Sequence, residues 1–84
     1  MELKVKTTQY FEHTRKRPDR AIIRDDWIAL VIEHPEKTEV QADGRIRKWA
    51  WIPEEDKFLR VILLEDGKTL HNAFFDRSFK ENRQ

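Results

Sequence analysis

An 84-residue chain has room for one domain, residues 1–84, and a domain of that size buries only about 60–65% of the surface its unfolded form exposes. Hydrophobic residues make up 38% and charged residues 39%, yet three Trp, one Tyr and five Phe against two Gly mark a folded core rather than a disordered chain. A net charge of +1 excludes a polybasic tail or a cationic coat protein and leaves room for a local basic patch.

The chain has no cysteine, which excludes disulfide scaffolds and thiolate metal sites. Met1–Thr8 is too polar for a secretion signal, and the longest apolar run, Trp27–Ile32, is far short of the about 20 residues a membrane span needs. The expectation is a cytoplasmic domain with no membrane partner.

In chain order, Met1–Thr8 alternates Leu3 and Val5 with Lys4 and Lys6, as an added edge strand or an irregular lead would. Gln9–Arg17 is predicted as a short helix with Tyr10, Phe11 and Thr14 facing inward and Pro18 stopping it. Asp25–His34 is the stronger helix: Trp27, Ile28, Val31 and Ile32 recur at helical spacing, Asp25 and Asp26 suit its positive end, and Pro35 ends it. Two Asp-Gly steps then act as hairpin turns. Asp43-Gly44 separates Thr38–Ala42 from Arg45–Ile52, and Asp66-Gly67 separates Phe58–Glu65 from Lys68–Phe75. Pro53–Asp56 connects the hairpins, since proline cannot continue a strand ladder. The predicted fold is α+β, with two N-terminal helices packed on a four-stranded antiparallel meander.

Two short helices cover one face of such a sheet. A two-residue turn at Asp66-Gly67 puts Leu59, Val61, Leu63, Leu70 and Phe74 on the covered face. The opposite face then carries Phe58, Arg60, Ile62, Leu64, His71, Ala73 and Phe75, with Arg60 beside His71. A bulge would slip this assignment by one residue.

His13, His34 and His71 lack the spacing of a zinc site, and neither a metal nor a cofactor is expected. His34 reads as a charge at a helix C-terminus. His71, mid-strand in an apolar stretch, is either a cross-strand hydrogen-bonding residue or a general acid or base. The basic residues fall into groups: Arg15-Lys16-Arg17 with Arg20, then Arg45, Arg47 and Lys48, then Arg60. Acidic residues concentrate in Glu33–Glu39 and Glu54–Asp56, so one face can be basic. Trp49 and Trp51 alternate with Lys48 on the second strand; exposed, they would stack on single-stranded RNA, and buried, they would pack under the helices. Histidine with cations on one sheet face is also the equipment of metal-free RNA cleavage: a base for the 2′-hydroxyl, an acid for the leaving oxygen and positive charge for the phosphorane. There is no Gly-rich phosphate loop, and the only serine, Ser78, lies near the end of the chain.

The stretch Tyr10–Ile22, with Val31–Pro35, Asp43-Gly44-Arg45, Leu59-Arg60-Val61 and Phe75-Asp76-Arg77, resembles an uncharacterised family of small bacterial proteins whose layout is similar to the BrnT and RelE toxins. The resemblance covers Tyr10 to Phe79. It implies helices followed by an antiparallel sheet, a metal-independent toxin-type ribonuclease, and a cognate antitoxin protein as partner. The candidate catalytic residues are His71, His13 and Arg60, and the candidate nucleic-acid-binding residues are Arg17, Arg20, Arg45, Arg47 and Lys48. A different expectation is a non-catalytic protein-binding module or homodimer of structural role, formed through the apolar face bearing Phe58, Ile62, Leu64 and Phe75.

Overall fold

The computed structural model describes residues 5–79, and the expectations for Met1–Lys4 lie outside the described residues. The α+β architecture is as expected, with three short helices in place of two among the described residues: α1 (Gln9–Thr14), α2 (Pro18–Ala21) and α3 (Asp25–Glu33). Thr8 caps α1 by accepting a hydrogen bond from the Phe11 amide at 3.1 Å. Pro18 opens α2 rather than only ending α1; at the first helical position its missing N–H costs nothing. Asp25 and Asp26 occupy the first turn of α3, and the amide of His34 closes its last.

Four strands follow as an antiparallel meander, β1 (Lys37–Val40), β2 (Ile46–Ile52), β3 (Lys57–Leu63) and β4 (Leu70–Phe75), in spatial order β1-β2-β3-β4. Gly44 turns the first hairpin at φ +91°, and a Cβ there would stand 2.7 Å from Glu65 Cγ, so the position requires glycine. Asp66 organises the second turn by accepting from the amides of Lys68 and Thr69. Every residue of β1 is exposed, Val40 to 71%.

The helices cover one sheet face. Phe11, Trp27, Ile28 and Val31 pack on Ala50, Ile52, Leu59, Val61, Leu63 and Leu70, all buried. Each fully buried Ile, Leu or Val contributes about 1.5–3 kcal/mol. Of the three residues expected to face inward from α1, Phe11 and Thr14 are buried while Tyr10 is 50% exposed.

The register of β3 with β4 corrects the expected faces. Leu63 pairs with Leu70 as a two-residue turn would have it, but Ile62 pairs with Asn72, which leaves His71 as an extra bulged residue. The cause lies at the sheet edge. Leu70 is bridged by the N-terminal segment, its amide donating to Lys6 O while Thr8 N donates to Leu70 O, and His71 turns toward Thr8 and Tyr10. Beyond the bulge the alternation is inverted. Ala73 and Phe75 face the helices, Phe75 meeting the Trp27 ring, and Phe74 faces the other way, opposite Arg60.

Candidate nucleic-acid interface

The face away from the helices is organised by a row of cross-strand neighbours. Trp49, Arg60 and Phe74 lie directly opposite one another on β2, β3 and β4. The Arg60 guanidinium stands over the Trp49 ring at 5.3 Å and over the Phe74 ring at 5.0 Å. Arg20, reaching over from α2, stands over Phe74 at 5.1 Å and donates to Asn72 Oδ1 at 2.8 Å. On Trp49 the ring of Phe79 is stacked at 4.7 Å and 14°, and Lys37 Nζ lies 6.0 Å from the Phe79 ring. Cations and rings therefore follow one another from Arg20 through Phe74, Arg60, Trp49 and Phe79 to Lys37. Such contacts are worth about 0.5–2 kcal/mol each, more where water is excluded.

Phe79 belongs to a C-terminal segment that folds back over this face. The Asp76 amide donates to Phe58 O at 2.9 Å, and Asp76 Oδ2 accepts from Trp49 Nε1 at 3.0 Å and from Arg60 Nη2 at 2.8 Å. Its other oxygen accepts from the Ser78 amide and hydroxyl and from the Phe79 amide. Burial opposes the charge on Asp76, but the bonds from Trp49 and Ser78 and the Arg60 charge outweigh it and hold the carboxyl at about 2. Phe58 takes Phe79 edge-on at 4.9 Å and Trp51 edge-on at 5.1 Å. Trp49 is thus buried, though beneath the chain's own tail and not beneath the helices.

His71 occupies a separate place, at the bulge. Its Nδ1 lies 3.0 Å from Thr8 Oγ1, and its ring is stacked on Tyr10 at 4.9 Å. Among the described residues Nε2 has no hydrogen-bond partner. Burial, then the charge of Arg45, push the imidazole below 6.5, opposed by Asp43, so it is mainly neutral at pH 7. His13 is exposed on α1 three residues after Tyr10, a spacing that makes them neighbours on a helix surface. The structure therefore brings His71 close to Tyr10, with His13 one turn along, and does not make His71 the cross-strand neighbour of Arg60.

The remaining basic residues are dispersed. Lys48 points into the helix-covered side and donates to Ile32 O at 3.0 Å, capping the end of α3. Arg47 faces Glu39 and the side-chain amide of Gln41 on the hairpin. Arg45 lies 3.8 Å from Asp43, and Arg17, 60% exposed, lies 3.5 Å from Asp19. Arg20 lines two shallow clefts: one of about 250 Å³ with Phe11, Arg15 and Lys16, and one of about 320 Å³ with Lys57, Phe74 and Arg77. Among the described residues no group of three or more His, Cys, Asp or Glu could hold a metal ion, and no helix is long and apolar enough to cross a membrane.

Four residues that shape these sites have no role in the sequence reading: Thr8, Lys37, Asp76 and Phe79. Only Asp76 carries a local signal, as the first residue of an Asx turn over Arg77-Ser78. The apolar face expected for a homodimer is altered too, because Phe75 lies on the helix side and Phe58 is buried beside the tail. Comparison of the chain with family models, with curated proteins and with solved structures gives no match.

Proposed function

We propose that the chain is a toxin-type ribonuclease that cleaves RNA without a metal ion, with His71 as general base and His13 as general acid. The observation that carries the reading is the setting of His71: an imidazole stacked on a half-exposed tyrosine, with Nδ1 3.0 Å from Thr8 Oγ1 and Nε2 unpartnered among the described residues, and with burial disfavouring its charged form. When Nδ1–H is donated to Thr8 Oγ1, Nε2 presents a lone pair. It takes the 2′-hydroxyl proton, O2′ attacks phosphorus, the P–O5′ bond breaks, and His13 returns a proton to the 5′-oxygen. The products are a 2′,3′-cyclic phosphate and a free 5′-hydroxyl.

Positive charge for the phosphorane comes in this reading from Arg45, whose field His71 already feels, and from the exposed Arg17. Arg60 and Lys48 are assigned positioning roles, because one is bound to Asp76 and the other caps α3. Arg20 and Arg47 border the surface over which a strand would run. A cognate antitoxin protein is the partner such an activity calls for.

The test is incubation with end-labelled RNA in EDTA, as free RNA and in a translation extract, beside folded His71→Gln and His13→Gln variants. Cleavage by the wild type, lost in both variants and leaving cyclic-phosphate ends, supports the reading. Intact RNA in both settings overturns it.

A further inference from the structure

We infer that the place now filled by the Phe79 ring is a slot for a nucleobase of single-stranded RNA, kept closed by the chain's own C-terminal segment. The inference rests on the proposal that RNA is the substrate and adds to it a base-binding site and its regulation. A stacked base needs a flat ring in parallel contact, and Phe79 lies on Trp49 at 4.7 Å and 14°. Phe58 closes one edge of the slot, and Lys37 Nζ stands over the ring from β1. A purine or pyrimidine presents the same π-surface to the indole and the same electron-rich face to the ammonium.

The charges beside the slot fit the remainder of a nucleotide. Arg60, next to Trp49 in the cross-strand row, is held by one carboxylate oxygen of Asp76 through Nη2, and its buried Nε has no hydrogen-bond partner in the described structure. The tail thus supplies an aromatic ring on Trp49 and an anionic oxygen on Arg60, three residues apart. A nucleotide supplies the same pair of groups, a base and a phosphate. Phe79 is the half-buried member of the tail, whereas Asp76 is 7% exposed and tied by hydrogen bonds, so the ring is the part that leaves first, ahead of the Asp76–Arg60 pair.

The test uses full-length protein and an eight-residue 2′-O-methyl oligoadenylate, which stacks but cannot be cleaved through a 2′-hydroxyl. Binding is read by quenching of tryptophan fluorescence, in wild type, Phe79→Ala, Phe79→Tyr and the double variant Phe79→Ala/Trp49→Leu, each checked for a cooperative melt. Opening the slot is expected to tighten binding about tenfold in Phe79→Ala, to leave Phe79→Tyr near wild type, and to lose the gain in the double variant. Equal or weaker binding by folded Phe79→Ala overturns the inference, as does a gain that survives Trp49→Leu. Wild-type affinity together with concentration-dependent dimerisation of Phe79→Ala also overturns it and marks the slot as a protein contact. Cleavage is not scored here, so a ribonuclease that lacks the slot and a slot on a protein that cleaves nothing give different results.

Discussion

Asp76 Oδ2 is shared between the Arg60 guanidinium at 2.8 Å and the Trp49 indole at 3.0 Å, so one oxygen ties β2, β3 and the chain beyond β4 together. Removing the charge on Asp76 leaves Arg60 mostly buried and unpaired. Asp76→Asn is expected to lower the unfolding free energy by about 2 kcal/mol in urea titrations at pH 7. A loss below about 0.5 kcal/mol, the range of ordinary surface changes, would sink the assignment.

The same carboxylate sets an acid limb. Its folded value of about 2 lies below the ordinary 3.8, so its contribution is present above 3.8 and is lost as pH falls through about 2. Asp66, fully exposed and bonded to Thr69 and Lys68, is also held at about 2 and titrates in the same window. Asp76→Asn should therefore flatten the fall in stability between pH 4 and pH 2 without abolishing it, as measured by urea midpoints across that range.

His71 has the opposite direction from an ion-paired histidine. Burial and Arg45 disfavour its charged form, so stability is fully present above 6.5 and declines as pH falls below it through the folded value. NMR titration of the imidazole should give a midpoint below 6.5. Arg45→Gln should raise that midpoint, and Asp43→Asn should lower it. A wild-type midpoint at or above 6.5 contradicts the geometry described for the bulge.

Lys48 separates a structural cation from a ligand-binding one. Its ammonium satisfies the Ile32 carbonyl at the end of α3, where positive charge is favoured. Lys48→Met is expected to cost about 1 kcal/mol of stability, read from thermal melts, and to leave oligonucleotide affinity within about twofold. A larger loss of affinity with unchanged stability would return Lys48 to the binding surface.

Thr8 serves two partners, the Phe11 amide and the His71 ring. Thr8→Ala should cost about 1 kcal/mol as a lost N-cap. It should also release the imidazole from its fixed orientation, seen as averaging of the His71 ring signals in NMR spectra. Thr8→Ser, which keeps the hydroxyl, should restore both properties.

The Asp-Gly turns, the amphipathic pattern of Trp27, Ile28, Val31 and Ile32, and the alternation in β3 are local signals, and the meander was legible from them. The face assignment in β4 was not. Its register is decided by a bulge at His71, which depends on Thr8, Tyr10 and the bridge at Leu70, more than sixty residues away in sequence. The tail was illegible for a related reason. Phe79 lies among Arg77, Ser78 and Lys80, a run that reads as polar loop, and only the Trp49 ring on the face away from the helices gives its aromatic side chain a place to go. Lys48, by alternation, shares the face of Ala50 and Ile52, so its inward direction was available from the pattern, but its target carbonyl was not.

The row from Arg20 to Lys37 joins a helix beyond one edge of the sheet to the strand at the other. β1 has every residue exposed and little burial of its own to resist opening. Its amides are consequently tied, through Lys37 and Phe79, to the opening of the tail. In hydrogen–deuterium exchange the edge strand and the C-terminal turn should lose protection as one cooperative unit, so that the turn from Asp76 to Phe79 governs how long the first strand of the sheet stays closed.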